Sequence, residues 1–195
     1  MRVALFAVVL LACSGGTGTV GSSSTAGPPV DNGHVTSAAG VKVDATISAA
    51  TIGDECGGSS RDVAAGSCAQ GATCTPTCQQ SNVQLALDAG SGSAPAKIKI
   101  VSVTLNDAAD GTQVDELTTS NPQQWTGGGY TAWDQSLAPN TQLKASYSLS
   151  APSWSTIGAS TSYQRKFRLI VTLDVDGQQL VLQSAELSRE AVVAT

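Results

Sequence analysis

The dipeptide Asp176-Gly177 is the most constraining feature of the chain. A two-residue type I′ turn needs positive φ at both central positions, and Asp-Gly is one of the few pairs that accept it. Before the turn, Phe167, Leu169, Val171, Leu173 and Val175 place an apolar residue at every second position, and after it Leu180 and Leu182 do the same. If Val175 faces Gln178 across the turn, Leu173 faces Leu180 and Val171 faces Leu182. Turn chemistry and apolar period therefore select one register. A slip of one residue would send these side chains to opposite faces.

The same period recurs upstream. Val41, Val43, Ala45 and Ile47 alternate with Lys42, Asp44, Thr46 and Ser48. Val83, Leu85 and Leu87 form a second such run, and Leu143, Ala145, Tyr147 and Leu149 a third. Each reads as a half-buried strand. Over 97–105 the apolar parity changes: Ile98 and Ile100 share one parity, Val101, Val103 and Leu105 the other. A bulge near Ile100 reconciles them. The polar stretch 106–111 reads as a turn, and 112–117 as a short strand. About seven short strands with turn signals between them predict an all-β sandwich.

Within 125–187, Trp133, the turn Ala138-Pro139-Asn140, Tyr147 in its strand and the terminal hairpin resemble the immunoglobulin-like or fibronectin-type domains of bacterial surface proteins. The resemblance implies an immunoglobulin-like antiparallel β-sandwich, expected over 41–195. The inter-sheet cysteine pair of antibody domains is missing. A fold of this kind does not by itself imply a function.

The chain start supplies an address. Met1-Arg2 is basic, 3–12 is small and apolar, and Cys13 follows Ala12. This is the layout of a secretory signal, and the run is far shorter than the ~20 residues of a spanning helix. Leu10-Leu11-Ala12-Cys13 resembles the lipobox of bacterial lipoproteins. That resemblance implies a signal peptide over 1–12, a diacylglyceryl group on the Cys13 thiol, and cleavage before Cys13 with acylation of the new amino group. Stable anchoring takes more than one acyl chain, which such a cysteine provides. Ser14, rather than Asp, leans the destination towards the outer membrane. Residues 13–40, rich in Gly, Ser and Thr, read as a flexible tether.

Four cysteines remain after Cys13: Cys56, Cys68, Cys74 and Cys78, all within a segment at 54–80 that lacks sustained periodicity and reads as an insertion after the first expected strand. An even set in an exported chain reads as two disulfides, with three pairings open. Zinc is the rival reading for Cys74-Thr75-Pro76-Thr77-Cys78, but structural zinc favours tighter knuckles, often with histidine. The single histidine, His34, falls in the tether. A short helical turn is also expected near 61–65.

Charge narrows the partners. The formal charge of −5 becomes −6 once Arg2 leaves with the signal. Nucleic-acid binding rests on cationic contacts to phosphate, so nucleic acid is not an expected partner. With no histidine on the expected scaffold, the common Ser-His-Asp and Cys-His sites have no base. Asp107 with Asp110, Asp115 with Glu116, and Asp174 with Asp176 are the nearest carboxylate pairs, each in or beside a turn. The segments 106–111 and 174–177 resemble fragments of calcium loops without the later ligands. The run Gly127-Gly128-Gly129 lacks the setting of a phosphate loop. Trp125, Tyr130 and Trp133 cluster around it, and exposed rings there would form a platform for sugar or for protein; the competing reading, favoured most for Trp133, is that Trp133 and Trp125 anchor the sandwich core.

These readings converge on a non-catalytic envelope lipoprotein without cofactor or metal. It would be held on the bilayer through acylated Cys13 and would contact an envelope protein. Polysaccharide binding by Trp125, Tyr130 and Trp133 is the alternative, and a carboxylate-dependent hydrolase ranks third.

Overall fold

The computed structural model describes residues 33–37, 40–54, 76–77, 80–190 and 193–194. The lipobox, Cys13, Cys56, Cys68, Cys74, Cys78 and the helical turn expected at 61–65 lie outside the described residues.

In chain order the strands are β1 (His34–Thr36), β2 (Lys42–Thr51), β3 (Pro76–Thr77), β4 (Asn82–Ala89), β5 (Ala96–Asp107), β6 (Gln113–Leu117) and β7 (Thr119–Trp125). They continue with β8 (Tyr130–Ala132), β9 (Ser136–Leu137), β10 (Gln142–Leu149), β11 (Phe167–Val175), β12 (Gln178–Gln183) and β13 (Val193–Ala194). A single helical turn, α1 (Trp154–Ile157), and a 3-10 turn at Thr161–Gln164 join β10 to β11.

Two antiparallel sheets enclose one core. The first runs β1-β2-β4-β10-β7-β8 and the second β12-β11-β5-β6, with β9 also paired to β5. Taking β2, β4, β5, β6, β7, β10, β11 and β12 as strands A, B, C, C′, D, E, F and G, the sheets read A-B-E-D and G-F-C-C′. That is the immunoglobulin-type order, so the expected fold class holds. Val43, Leu85, Ala145 and Tyr147 from one sheet meet Ile98, Val103, Leu105, Leu169, Val171 and Leu173 from the other in the core. Deleting one of the fully buried leucines to alanine would cost about 2–5 kcal/mol.

The terminal hairpin forms in the expected register: Val175 opposite Gln178, Leu173 opposite Leu180, Val171 opposite Leu182. Asp176 and Gly177 have φ of 50° and 85°, as the turn requires. The bulge on β5 also occurs. Thr172 pairs with Ser102 and Leu173 with Ile100, leaving Val101 as the extra residue. Val101 is turned out to solvent, 57% exposed.

The ordered sheet begins before Val41. His34, Val35 and Thr36, assigned by composition to the tether, pair with Asp44, Val43 and Lys42, and Val35 packs against the core. Three residues are too few to display a period, which is why composition hid this strand. The cysteine segment accordingly follows the second strand rather than the first. β7, over which the sequence reading places no strand, is an interior strand. It accommodates Pro122 because its pairing with β10 shifts register there, and Asn121 takes a left-handed φ of 50°.

Candidate binding face

The outer face of the first sheet gathers polar side chains because β2, β4 and β10 each bury the alternate set. Asp44 lies opposite Asp88, and Asp88 opposite Gln142. One row along, Thr46 lies opposite Ala86 and Ala86 opposite Lys144. These residues line a shallow cleft of about 510 Å³, with Leu87 and Leu143 beneath and Trp125 as one wall. Its size falls within the ~300–1,000 Å³ of small-molecule sites.

Like charges directly across a strand pair repel. Here Lys42 Nζ lies 3.1 Å from Asp44 Oδ1, and Gln142 Nε2 donates to Asp88 Oδ2 at 2.7 Å. Both contacts offset the repulsion. Lys144, in the adjacent row, makes no ion pair among the described residues.

Trp125 and Tyr130 face each other across the β7–β8 hairpin. Their rings stack edge-on with centroids 5.2 Å apart. They are 44% and 37% exposed. Neither the indole N–H nor the phenol hydroxyl has a hydrogen-bond partner among the described residues. The loop between them closes through Thr126 N–H donating to Gly129 O at 3.0 Å. Gly127 needs its left-handed φ of 84°. Gly128 and Gly129 do not adopt such a φ, and a Cβ on either would meet open space. The fold does not require glycine at those two positions.

Trp133 separates from this pair. It is 4% exposed, its Nε1 donates to Ser136 O at 3.1 Å, and its ring meets Tyr147 edge-on in the core. Trp133 thus takes the core reading, and only Trp125 and Tyr130 remain of the three-ring surface platform. The cause is strand geometry: Trp133 lies past β8, where its backbone N–H donates to Pro122 O and its side chain turns inward. The motif that signalled the true pair was present, since Trp125 and Tyr130 flank a four-residue Gly-rich loop symmetrically.

The carboxylates sit elsewhere and are locally engaged. Asp107 is ion-paired to Arg165, whose Nε donates to Asp107 Oδ2 at 2.9 Å. The Ala109 backbone N–H and then the Arg165 guanidinium hold its carboxyl below the usual range. Asp110 Oδ1 accepts from Thr112 N–H, and Asp115 from Glu116 and Ser153 N–H. Asp174 Oδ1 accepts from Gly177 N–H and Asp176 Oδ1 from Lys97 N–H. Each is a turn or loop fastener. Among the described residues no group of three or more metal-ligating side chains converges.

A second aromatic cluster closes the opposite kind of site. Trp154, at the start of α1, is buried and donates through Nε1 to Gly53 O at 3.1 Å. Arg189 lies 4.7 Å from its ring centroid and 4.1 Å from that of Tyr163. The same guanidinium bonds to Asp54, Ala159 O and Ser162 Oγ. Sequence reading missed this cluster, because Asp54 and Arg189 stand 135 residues apart and carry no shared period. No known family model matches the chain, and no curated protein matches it.

Proposed function

We propose that this chain is a lipid-anchored, non-catalytic binding module of the bacterial envelope, tethered through Cys13 at the outer membrane. Its contact surface is the β7–β8 hairpin with the adjoining outer sheet face. The supporting observation is the Trp125–Tyr130 pair, exposed, bonded to nothing but each other, and set beside a cleft. Trp133 and Trp154, by contrast, are buried with their indole N–H groups bonded, and the exposed ring of Tyr163 is covered by the Arg189 guanidinium.

The anchor is tested by metabolic labelling. Labelled palmitate should enter the wild-type chain and not Cys13→Ser. Labelling of that variant would overturn the anchor. The surface is tested by a photo-crosslinking residue at Gly128, which should capture an envelope component in native membranes. The same residue at Gln179, exposed on the other hairpin, should not. Equal yields at both sites would overturn the surface.

A protein partner adding to the sheet edge is a second reading, favoured by one observation. β8 ends the sheet and all three of its residues are exposed. Trp133 N–H donates inward, so by strand alternation the Ala132 N–H faces outward. Ala132→Pro would block strand addition there without touching either ring. Loss of capture in this variant supports edge addition, and unchanged capture excludes it.

A further inference from the structure

We propose that the cleft walled by Trp125 binds an uncharged, hydroxyl-rich glycan. The inference rests on the binding-module reading above and names its ligand class. Three features of the face carry it. The first is an exposed indole standing at one side, an apolar plane against which the C–H face of a sugar ring can lie. The second is the set of polar groups that borders a largely apolar floor. Asp44 and Asp88 supply acceptors, and the Gln142 amide supplies a donor and an acceptor. Lys144 supplies a donor without an ion-pair partner among the described residues. Adjacent strands put these groups about 4.8 Å apart across the sheet, and successive rows about 7 Å apart along it. Sugar hydroxyls donate and accept at once, so one ligand can meet carboxylate, amide and ammonium together.

The third feature is charge. Two carboxylates stand against two ammonium groups, Lys42 on Asp44 and Lys144 across from Ala86. The cleft is therefore balanced and offers no net attraction to an acidic or basic ligand. A protein partner fits the cleft itself less well, because Trp125 is the one large exposed apolar residue that lines it; Tyr130 packs on that ring from outside the cleft, and Val101 and Tyr163 lie elsewhere.

Affinity electrophoresis of the full-length protein in detergent tests the idea. The probes are three neutral polysaccharides, a mixed-linkage β-glucan, a galactomannan and a xylan, with polygalacturonate as the acidic control. At least one neutral polymer should retard the protein, and Trp125→Ala should weaken that retardation about tenfold. Asp88→Asn and Lys144→Ala should each weaken it about three- to tenfold. Trp125 is the exposed indole of the three, so binding should also blue-shift the tryptophan emission, and Trp125→Phe should abolish the shift. The proposal is overturned if no neutral polymer retards the protein. It is equally overturned if polygalacturonate retards it as strongly, or if Trp125→Ala and Asp88→Asn leave retardation unchanged. Capture at Gly128 persisting without polysaccharide binding would sink the glycan and leave the binding module standing. Loss of both would sink the module as well.

Discussion

Two aromatic clusters sit at different places on the same sandwich, and their surroundings differ. Around Trp154 every polar atom is answered: the indole N–H by Gly53, the guanidinium of Arg189 by Asp54, Ala159 and Ser162, the ring faces by Arg189 and Phe167. Arg165 extends the cluster, lying over the Phe167 ring and bonding to Asp107 and Ile157 O. Around Trp125 there is one ring partner, a bare loop and an open cleft. The first cluster holds the chain together. The second has contacts to spare, which is why it is the surface proposed for binding.

The comparison breaks most easily at Arg189. Its side chain is 10% exposed and that of Asp54 20%, so removing the guanidinium takes away the cation bonded to a largely buried carboxylate. Arg189→Ala should lower stability by about 3–5 kcal/mol, or about 6–20 °C in Tm for a chain of this size. A fall under about 1 kcal/mol in chemical denaturation would mean this cluster is no more structural than the other.

The two hairpin turns sharpen the contrast. Asp176-Gly177→Val-Val forces branched side chains into left-handed φ at both positions. It should cost about 2–4 kcal/mol. Gly128→Ala and Gly129→Ala, without that φ and with open space around them, should change stability by less than about 1 kcal/mol. Denaturation midpoints measured side by side would show whether the loop near Trp125 is as free of fold constraints as its geometry indicates.

Acid should act on the closed cluster first. The carboxyl of Asp107 is held below its ordinary value by the Ala109 N–H and Arg165. Its contribution is therefore complete above about pH 4, the ordinary carboxylate value, and is lost as pH falls through the lowered one. The Tm of the wild type should decline more steeply below about pH 4 than that of Asp107→Asn. Parallel curves would remove Asp107 from the acid response.

The smallest effect is expected in the core between the two clusters. Tyr147 is buried, and its hydroxyl finds no partner among the described residues. Burial raises its pKa, so it stays protonated, and the polar oxygen is desolvated without return. Tyr147→Phe should be neutral or stabilising by up to about 1 kcal/mol. A loss of more than about 1 kcal/mol in urea unfolding would show that the oxygen is bonded after all.

Much of the fold was legible because its signals are local. The β11–β12 register followed from one dipeptide and a period of two, and the β5 bulge from a change of parity at Ile100. The strand β10 was legible in the same way. β1 was too short to show a period. The hairpin of β7 and β8 was masked by Pro122 and three glycines, residues that ordinarily argue against an interior strand. The candidate site was half legible. Aromatic clustering around the glycines pointed to Trp125 and Tyr130, but parity alone did not show that Trp133 turns inward. Asp44, Asp88, Gln142 and Lys144 are unremarkable as solvent-face residues of three separate strands, and only the sheet order puts them side by side.

The central claim is that Trp125 and Tyr130 serve binding and not folding. The most direct measurement pairs thermal stability with capture at Gly128 for the double variant Trp125→Ala, Tyr130→Ala in native membranes. The account predicts a Tm within about 3 °C of wild type, the shift of roughly 1 kcal/mol, and capture reduced to background. A Tm lowered by about 8 °C or more, or capture undiminished, would contradict it.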